Sequence, residues 1–146
     1  MKVKRLWHLS WILFSLILQN ACCSRTPQQQ PTLPSNVRGW GEFSIDGTHF
    51  LGELVLRKGE ETSSGNIVVK VTDVDPPDPC AEPDSFYGSP RVTLQFHLVS
   101  DPQRKCEITA RKSSKIIECD FPIEASIINV ISINSEEKWA YFDLRK

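Results

Sequence analysis

Cysteine is the residue type in this sequence with the clearest capacity for covalent chemistry. Its thiolate is a nucleophile that can be alkylated, and two thiols can be oxidised to a disulfide. The chain has five cysteines, at positions Cys22, Cys23, Cys80, Cys106 and Cys119. None of them lies in a recognisable setting for a catalytic nucleophile. We therefore expect the cysteines to serve attachment and cross-linking rather than catalysis.

A disulfide is predicted between Cys106 and Cys119. The segment "CEITARKSSKIIEC" is typical of a β-hairpin with its tip at residues 112–113, a register that places the two cysteines opposite each other. Their Cα atoms should then lie less than ~7 Å apart. The turn has no Gly or Asn, so a two-residue slip stays open, with Cys119 opposite Ile108 and Cys80 as the competing disulfide partner. Buried free thiols are the third alternative.

Four aspartates in the proline-rich segment "TDVDPPDPCAEPDSFYGSP" are the candidate ligands for a cation: Asp73, Asp75, Asp78 and Asp84. Calcium takes about six to eight oxygen ligands, and carboxylates on a loop stiffened by proline can supply them. The spacing does not match an EF-hand, and Asp and Pro are also ordinary turn residues. A plain turn is therefore the favoured interpretation and calcium the alternative, so we predict no metal and no cofactor.

Catalytic patterns are weak elsewhere. His49 and His97 are predicted on the outward faces of strands, and neither has a Cys or His at metal-ligand spacing. The sequence contains no Gly-x-Ser-x-Gly elbow, which would mark a serine nucleophile. We predict that the protein is not an enzyme. Phe86 and Tyr87, in the proline-rich segment, are instead candidate contact residues for a partner, with packing onto the domain as the alternative.

The N-terminus begins with three cations, Lys2, Lys4 and Arg5, followed by a largely apolar run from Leu6 to Leu18. A basic start before a short apolar run is typical of a signal peptide. The run is shorter than the ~20 apolar residues that span a bilayer core. We therefore expect export, with residues 1–21 removed.

The end of this run resembles a bacterial lipoprotein signal, in which a short apolar run and a small residue precede a cysteine. The resemblance covers residues 1–23 and rests on Leu18, Ala21 and Cys22, although the usual leucine lies one place nearer the cysteine. It implies that a diacylglycerol is attached to the Cys22 sulfur before cleavage, which anchors the protein to a membrane of the cell envelope. Cys23 in the next position, rather than Asp, favours the outer membrane if the cell is Gram-negative. Secretion after conventional cleavage is the alternative.

Composition divides residues 22–146 into a tether and one domain. Residues 22–37 are rich in Pro, Gln and Ser and are predicted to form a flexible tether, and residues 38–146 are long enough for a single core. Without residues 1–21 the chain keeps 14 of its 17 Lys and Arg and all 18 Asp and Glu, a net charge of −4. This mild acidity does not suggest a nucleic-acid partner, which would need cations clustered on one face.

Hydrophobic periodicity predicts strands throughout the domain. Asp46-Gly47 suits the type I′ turn of a hairpin, which places Phe43 opposite Phe50 on a face that continues through Leu54 and Leu56. We predict that this face is the core face. The segment "RVTLQFHL" alternates most clearly, "ASIINVISIN" suits an interior strand, and "KWAYFDL" supplies a final aromatic strand.

The predicted fold is all-β: a single antiparallel β-sandwich of about eight strands after an N-terminal signal segment, with a small β-barrel as the alternative. The long proline-rich segment favours the sandwich, because it suits a crossing between two sheets. Two function classes remain. The first is a lipid-anchored, non-enzymatic envelope protein that binds or supports an envelope or extracellular macromolecule. The second is a small barrel carrier or inhibitor with an apolar ligand cavity.

Overall fold

The computed structural model describes residues 28–82 and 85–146. The predicted signal peptide, Cys22 and Cys23 lie outside these residues, as does Asp84. Nine strands and one short 3₁₀ turn, at Phe86–Gly88, form the described part of the chain. The strands are β1 (Gly39–Ile45), β2 (Thr48–Arg57), β3 (Glu61–Ser64), β4 (Ile67–Asp75), β5 (Arg91–Leu98), β6 (Asp101–Ala110), β7 (Ser114–Ile116), β8 (Ile127–Asn134) and β9 (Trp139–Arg145).

The strands form two antiparallel sheets. One has five strands in the order β1-β2-β9-β8-β7, and the other has four in the order β3-β4-β5-β6. Each sheet has two edges, so they are not closed into a barrel and the architecture is the predicted sandwich. The interior position of β8, between β9 and β7, is also as predicted. Within the described residues, no helix has the length and apolar character needed to cross a membrane.

The core lies between the two sheets and is filled by alternate residues of their central strands. Burial of these apolar side chains supplies the main driving force for folding. In β5 the alternation is as clean as the sequence predicts, because Val92, Leu94 and Phe96 have no exposed surface while the residues between them are only half-buried. The other sheet contributes fully or nearly fully buried side chains from β8 and β9: Ile128, Val130, Phe142 and Leu144.

The first hairpin has the predicted turn and register. Asp46 has a φ of 49° and Gly47 a φ of 81°, the positive values that a type I′ turn requires. Phe43 pairs with Phe50 across the hairpin. The turn therefore sets the pairing of β1 with β2 next to it, and a register shift between Trp40 and Phe43 changes the pairing beyond that point.

The prediction that Phe43 and Phe50 face the core is wrong. The β2–β9 pairing shifts register between Phe50 and Gly52, so the intervening Leu51 is buried and Phe50 lies on the outer face beside Arg145. A bulge of this kind places one extra residue in a strand and reverses the faces beyond it. The two phenylalanine rings stack outside the sandwich with centroids 4.7 Å apart.

The disulfide between Cys106 and Cys119 is confirmed, with Cα atoms 5.4 Å apart. The hairpin that was expected to align the two cysteines is wrong. Strand β6 pairs with β5 in the four-stranded sheet, whereas β7 pairs with β8 in the five-stranded sheet. The chain therefore crosses between the sheets at residues 111–113, and the disulfide ties the two sides of that crossing together.

Candidate functional site

Phe86 and Tyr87 lie on a short 3₁₀ turn that projects from the proline-rich loop. The turn is held by hydrogen bonds from Gly88 N to Ser85 O at 2.9 Å and from Asp78 N to Tyr87 O at 3.1 Å. The two rings meet edge to face, with centroids 5.6 Å apart. Phe86 is 71% exposed and Tyr87 is 66% exposed, so most of each ring faces solvent. Large aromatic side chains exposed as a pair are typical of contact surfaces.

Arg111 joins this aromatic pair to the crossing between the sheets. Its guanidinium carbon lies 4.3 Å from the centroid of the Phe86 ring and 5.9 Å from that of Tyr87, within range of a cation–π interaction. Its Nη1 donates a hydrogen bond to the Ser89 carbonyl oxygen. Arg111 is half-buried against the loop and is the first residue of the crossing, so the start of the crossing is held next to the aromatic turn.

A cleft of about 410 Å³ opens beside these residues. Its lining includes three cations, Arg91, Arg111 and Lys115, and no acidic residue. Arg91 is paired with Asp75 at 2.7 Å. By contrast, Lys115 Nζ donates to the backbone oxygen of Thr109 at 2.7 Å, and Arg111 likewise bonds to a backbone oxygen, so both keep a net positive charge in the cleft.

The described start of the chain lies at the same end of the molecule. Residues 28–31 share a cleft of about 400 Å³ with Lys112, Ser89 and Pro90. We refer to Phe86, Tyr87, Arg111, Lys112 and Lys115 as the aromatic-cationic patch. Lys112 and Lys115 are exposed. The patch is therefore next to the point at which the chain arrives from its N-terminus.

Hydrogen bonds fasten this part of the predicted tether to the turn between β8 and β9. Asn134 Nδ2 donates to the Pro31 carbonyl oxygen at 2.9 Å, and Ser135 N donates to Gln30 Oε1 at 3.2 Å. Gln30 Nε2 in turn donates to Ser135 Oγ at 3.4 Å. Gln30 and Pro31, which belong to the predicted tether, are therefore held against the domain.

The aspartates of the proline-rich loop are engaged separately. Asp73 bonds to Lys58 Nζ at 2.6 Å, Asp75 is the partner of Arg91, and Asp78 Oδ1 accepts the Cys80 backbone N–H at 2.9 Å. The hydrogen bond from Lys58 holds the pKa of Asp73 below its usual value. Among residues 28–82 and 85–146, no group of three or more His, Cys, Asp or Glu is placed to hold a metal ion.

The two histidines lie on different sheets. His49 on β2 is exposed, and its Nδ1 lies 2.8 Å from Ser44 Oγ. His97 on β5 is half-buried, with an Nδ1 that has no hydrogen-bond partner in the described structure. The fold does not bring the two histidines together, so they do not share a site.

One polar network was not predicted from the sequence. Asp143 is only 3% exposed and accepts hydrogen bonds from Arg145 Nε at 2.5 Å and Asn129 Nδ2 at 2.8 Å. The hydrogen bond to Asp143 raises the pKa of Arg145, and burial raises the pKa of the neighbouring Tyr141. Asp143 stands out in the sequence as a charge between the buried Phe142 and Leu144. Since its oxygens are paired, the network stabilises the sheet and offers no reactive group.

Cys80 is disulfide-bonded, and Cys106 and Cys119 are bonded to each other. The alternative in which Cys80 is the disulfide partner of Cys106 or Cys119 is therefore wrong. No protein-family model matches the chain, and comparisons with curated proteins and with solved structures find no match either.

Proposed function

We propose that the chain is an exported cell-envelope protein, anchored by a lipid on Cys22, whose β-sandwich acts as a non-enzymatic binding module. The observation that carries the binding role is the exposure of Phe86 and Tyr87, 71% and 66%, on a turn braced by hydrogen bonds and by Arg111. A rigid exposed pair loses little conformational freedom when a partner covers it. The partner is a component of the envelope or of its surroundings.

Export is supported by two independent features. The basic and apolar start of the chain is typical of a signal peptide. The Cys106–Cys119 disulfide suits a compartment in which thiols are oxidised. Lipid attachment follows from the lipoprotein resemblance: the Cys22 thiol loses its proton, and its sulfur forms a C–S bond to the diacylglyceryl group of a phospholipid as the C–O bond to the phosphate breaks and the phosphorylated head group leaves. The outer membrane is the proposed location if the cell is Gram-negative, and secretion is the alternative.

The packed interior favours a module over a carrier. The space between the sheets is occupied by side chains from both, including Phe96 from one sheet and Phe142 from the other, each with no exposed surface. A carrier of apolar molecules needs a cavity of about 300 Å³ or more among such residues. The cleft at the patch is instead open to solvent at the surface and has a cationic lining.

A photo-crosslinking experiment in intact envelopes tests the binding role. A photoreactive phenylalanine analogue replaces Tyr87 in one variant and Ser63, an exposed residue on β3, in the control variant. We expect an adduct from position 87 that the control at position 63 does not form. The absence of an adduct at position 87, or the same adducts from both positions, would contradict the proposal that the patch is the contact surface.

A further inference from the structure

We propose that the aromatic-cationic patch docks on the anionic phospholipid surface of the membrane that holds the lipid anchor, and so fixes the orientation of the domain. The inference rests on the proposed function and names the component that the patch contacts. Three observations carry it: the position of the chain's entry, the charge of the patch, and the exposure of its aromatic rings.

The chain's entry point limits the distance between the patch and the bilayer. Gln28 lines the same cleft as Lys112 and is six residues from Cys22. A fully extended chain covers at most about 3.3–3.6 Å per residue, so six residues reach roughly 20 Å. Since residues 30 and 31 are bonded to the β8–β9 turn, the domain cannot gain reach without breaking those hydrogen bonds. A lipid on Cys22 therefore keeps this end of the sandwich close to the membrane surface.

The charge of the patch complements an anionic surface. Arg111, Lys112 and Lys115 lie within one short segment of the crossing between the sheets, and Arg111 and Lys115 are held by backbone oxygens rather than carboxylates. Of the carboxylates on the proline-rich loop, Asp75 pairs with Arg91 and Asp78 accepts a backbone N–H. The mature chain carries a net charge of −4. An anionic membrane therefore attracts the patch and repels the acidic remainder of the domain, which favours the orientation with the patch toward the membrane.

The aromatic rings suit the boundary between lipid head groups and acyl chains. Tyrosine is enriched at this boundary, because its ring is apolar and its hydroxyl remains hydrated. Phe86 is the most exposed of the large hydrophobic residues in the described chain, and it projects on the same side as the guanidinium that stacks on it. Exposed aromatics bordered by cations are the usual composition of a surface that lies on a membrane.

An acidic protein or polysaccharide could satisfy the same charges, but the position of the patch favours the membrane. Two edge strands line the cleft, β6 through its last two residues, Thr109 and Ala110, and the three-residue β7, so each offers only a short edge there for an added peptide strand. The membrane, by contrast, is already within reach of this end of the domain through the anchor.

Hydrogen exchange of the mature protein on vesicles tests the proposal. The protein from envelopes is reconstituted in vesicles of phosphatidylcholine alone and in vesicles that also contain phosphatidylglycerol. We expect slower exchange in residues 85–91 and 110–116 on the anionic vesicles, and loss of this protection in high salt. Equal exchange on the two kinds of vesicle would overturn the proposal. Soluble polyglutamate or polygalacturonate is also added to the protein on neutral vesicles. If either polymer protects the same residues as strongly as anionic vesicles do, the patch is a general polyanion site and the proposal is overturned.

Charge-matched variants assign the effect to the patch. Lys112→Gln with Lys115→Gln should lower the ratio of docked to undocked domain on anionic vesicles, which is read from exchange protection and is called the affinity below, at least roughly tenfold, since each cation near an anionic surface contributes to attraction. Lys70→Gln with Lys105→Gln removes the same charge from the outer face of the four-stranded sheet and should leave the affinity almost unchanged. Phe86→Ser should weaken binding without unfolding, because the ring is 71% exposed. Equal loss in both double variants would contradict the proposal.

The same preparation separates failure of the anchor from failure of the patch. Mass spectrometry of its N-terminus shows whether Cys22 carries lipid. If it does not, the proposed anchor is wrong, and sedimentation of that unlipidated protein with phosphatidylglycerol vesicles then tests the patch by itself. If Cys22 is lipidated and exchange is the same on both kinds of vesicle, the anchor stands and the docking proposal is wrong.

Discussion

At the scale of residues, the disulfide between Cys106 and Cys119 connects β6 with the segment that comes after β7. Strands β6 and β7 belong to different sheets, so the bond limits how far the two sheets can separate at the edges formed by these strands. Cys106 is buried and Cys119 packs against the core, which shields the bond from reductants in solution. The disulfide is therefore a structural bond rather than an exposed, exchangeable one.

Replacing both cysteines should destabilise the domain. We expect Cys106→Ala with Cys119→Ala to lower the free energy of unfolding by ~3 kcal/mol. Without the bond, the unfolded chain regains the conformational entropy that closing the loop from Cys106 to Cys119 removes. Urea unfolding of the variant and the oxidised parent measures the difference. A variant as stable as the parent would show that the bond adds no constraint to the unfolded chain.

The bond at Cys80 leads to a prediction about the two N-terminal cysteines. A sulfur held in a thioether cannot also form a disulfide, so a lipid on Cys22 leaves Cys23 as the partner for Cys80 within this chain. We expect non-reducing peptide mapping of envelope protein to recover a Cys23–Cys80 peptide. Recovery of Cys22 bonded to Cys80 would contradict both this pairing and the lipid anchor.

The ion pair between Asp73 and Lys58 predicts a small dependence of stability on acid. A hydrogen bond from Lys58 holds the pKa of Asp73 below its usual value of 3.8. Such a carboxyl stabilises the fold above its unfolded pKa and loses this contribution as the pH falls through its folded pKa. Asp73→Asn should therefore reduce the loss of stability below about pH 4, by a small amount because the pair is exposed. Urea midpoints at neutral and acidic pH measure this, with Asp101→Asn, an exposed carboxylate on β6, as the control.

At the scale of elements, close contact between β1 and β2 depends on Gly52. A Cβ atom on Gly52 would lie 2.8 Å from Gly39 O and 3.2 Å from Trp40 Cα, both backbone atoms of β1. Trp40 covers this glycine, and its Nε1 donates to Thr62 Oγ1 on β3 at 2.9 Å, which joins the two sheets. The absence of a side chain at position 52 therefore allows β1 to lie close enough for that bond.

Gly52→Ala should push β1 away from β2. We expect a loss of about 1–3 kcal/mol in the free energy of unfolding, the usual cost of excess volume at a packed site. Urea unfolding measures this loss, with Ser63→Ala on the exposed strand β3 as a control that should change little. Unchanged stability of Gly52→Ala would show that the strands separate without cost.

Local chemistry was sufficient to predict the turn at Asp46-Gly47 and the burial pattern of β5, because both depend on neighbours in the sequence. The outward placement of Phe43 and Phe50 was not predictable, because the bulge beside Leu51 is set by the pairing with β9. The spacing of Cys106 and Cys119 predicted their bond but not the sheets they join, since the edge that receives β7 is formed by residues 127–134.

The candidate site shows the same division. Phe86 and Tyr87 were recognisable as loop aromatics, whereas the cations beside them are more than 20 residues further along the chain. Only the crossing between the sheets brings Arg111 to the Phe86 ring. Long-range contacts of this kind have no local pattern, so the aromatic-cationic patch had to be found in the structure.

At the scale of the whole molecule, the chain's entry, the patch and the crossing between the sheets lie at one end of the sandwich. Residues 28–31, Lys112 and the aromatic turn are linked through adjoining clefts and through Arg111. A lipid on Cys22 would place this end toward the membrane and the remainder of the acidic domain away from it. Anchoring and contact are then two functions of the same end of the protein.

Two neighbouring cysteines allow a controlled test of the anchor. Cys22→Ala should abolish the lipid mass at the N-terminus, because it removes the acceptor sulfur. Cys23→Ala is the matched control and should retain the lipid while losing only the bond to Cys80. Lipid on the Cys22→Ala protein, or its loss from Cys23→Ala alone, would place the attachment site at Cys23.

Mass spectrometry of the N-terminal peptide from isolated envelopes shows whether Cys22 is the lipid-bearing first residue of the mature protein. We predict a peptide that begins at Cys22 and carries the mass of a diacylglyceryl group on its sulfur. A peptide that still begins at Met1, or one in which Cys22 carries no lipid, would contradict the lipid anchor.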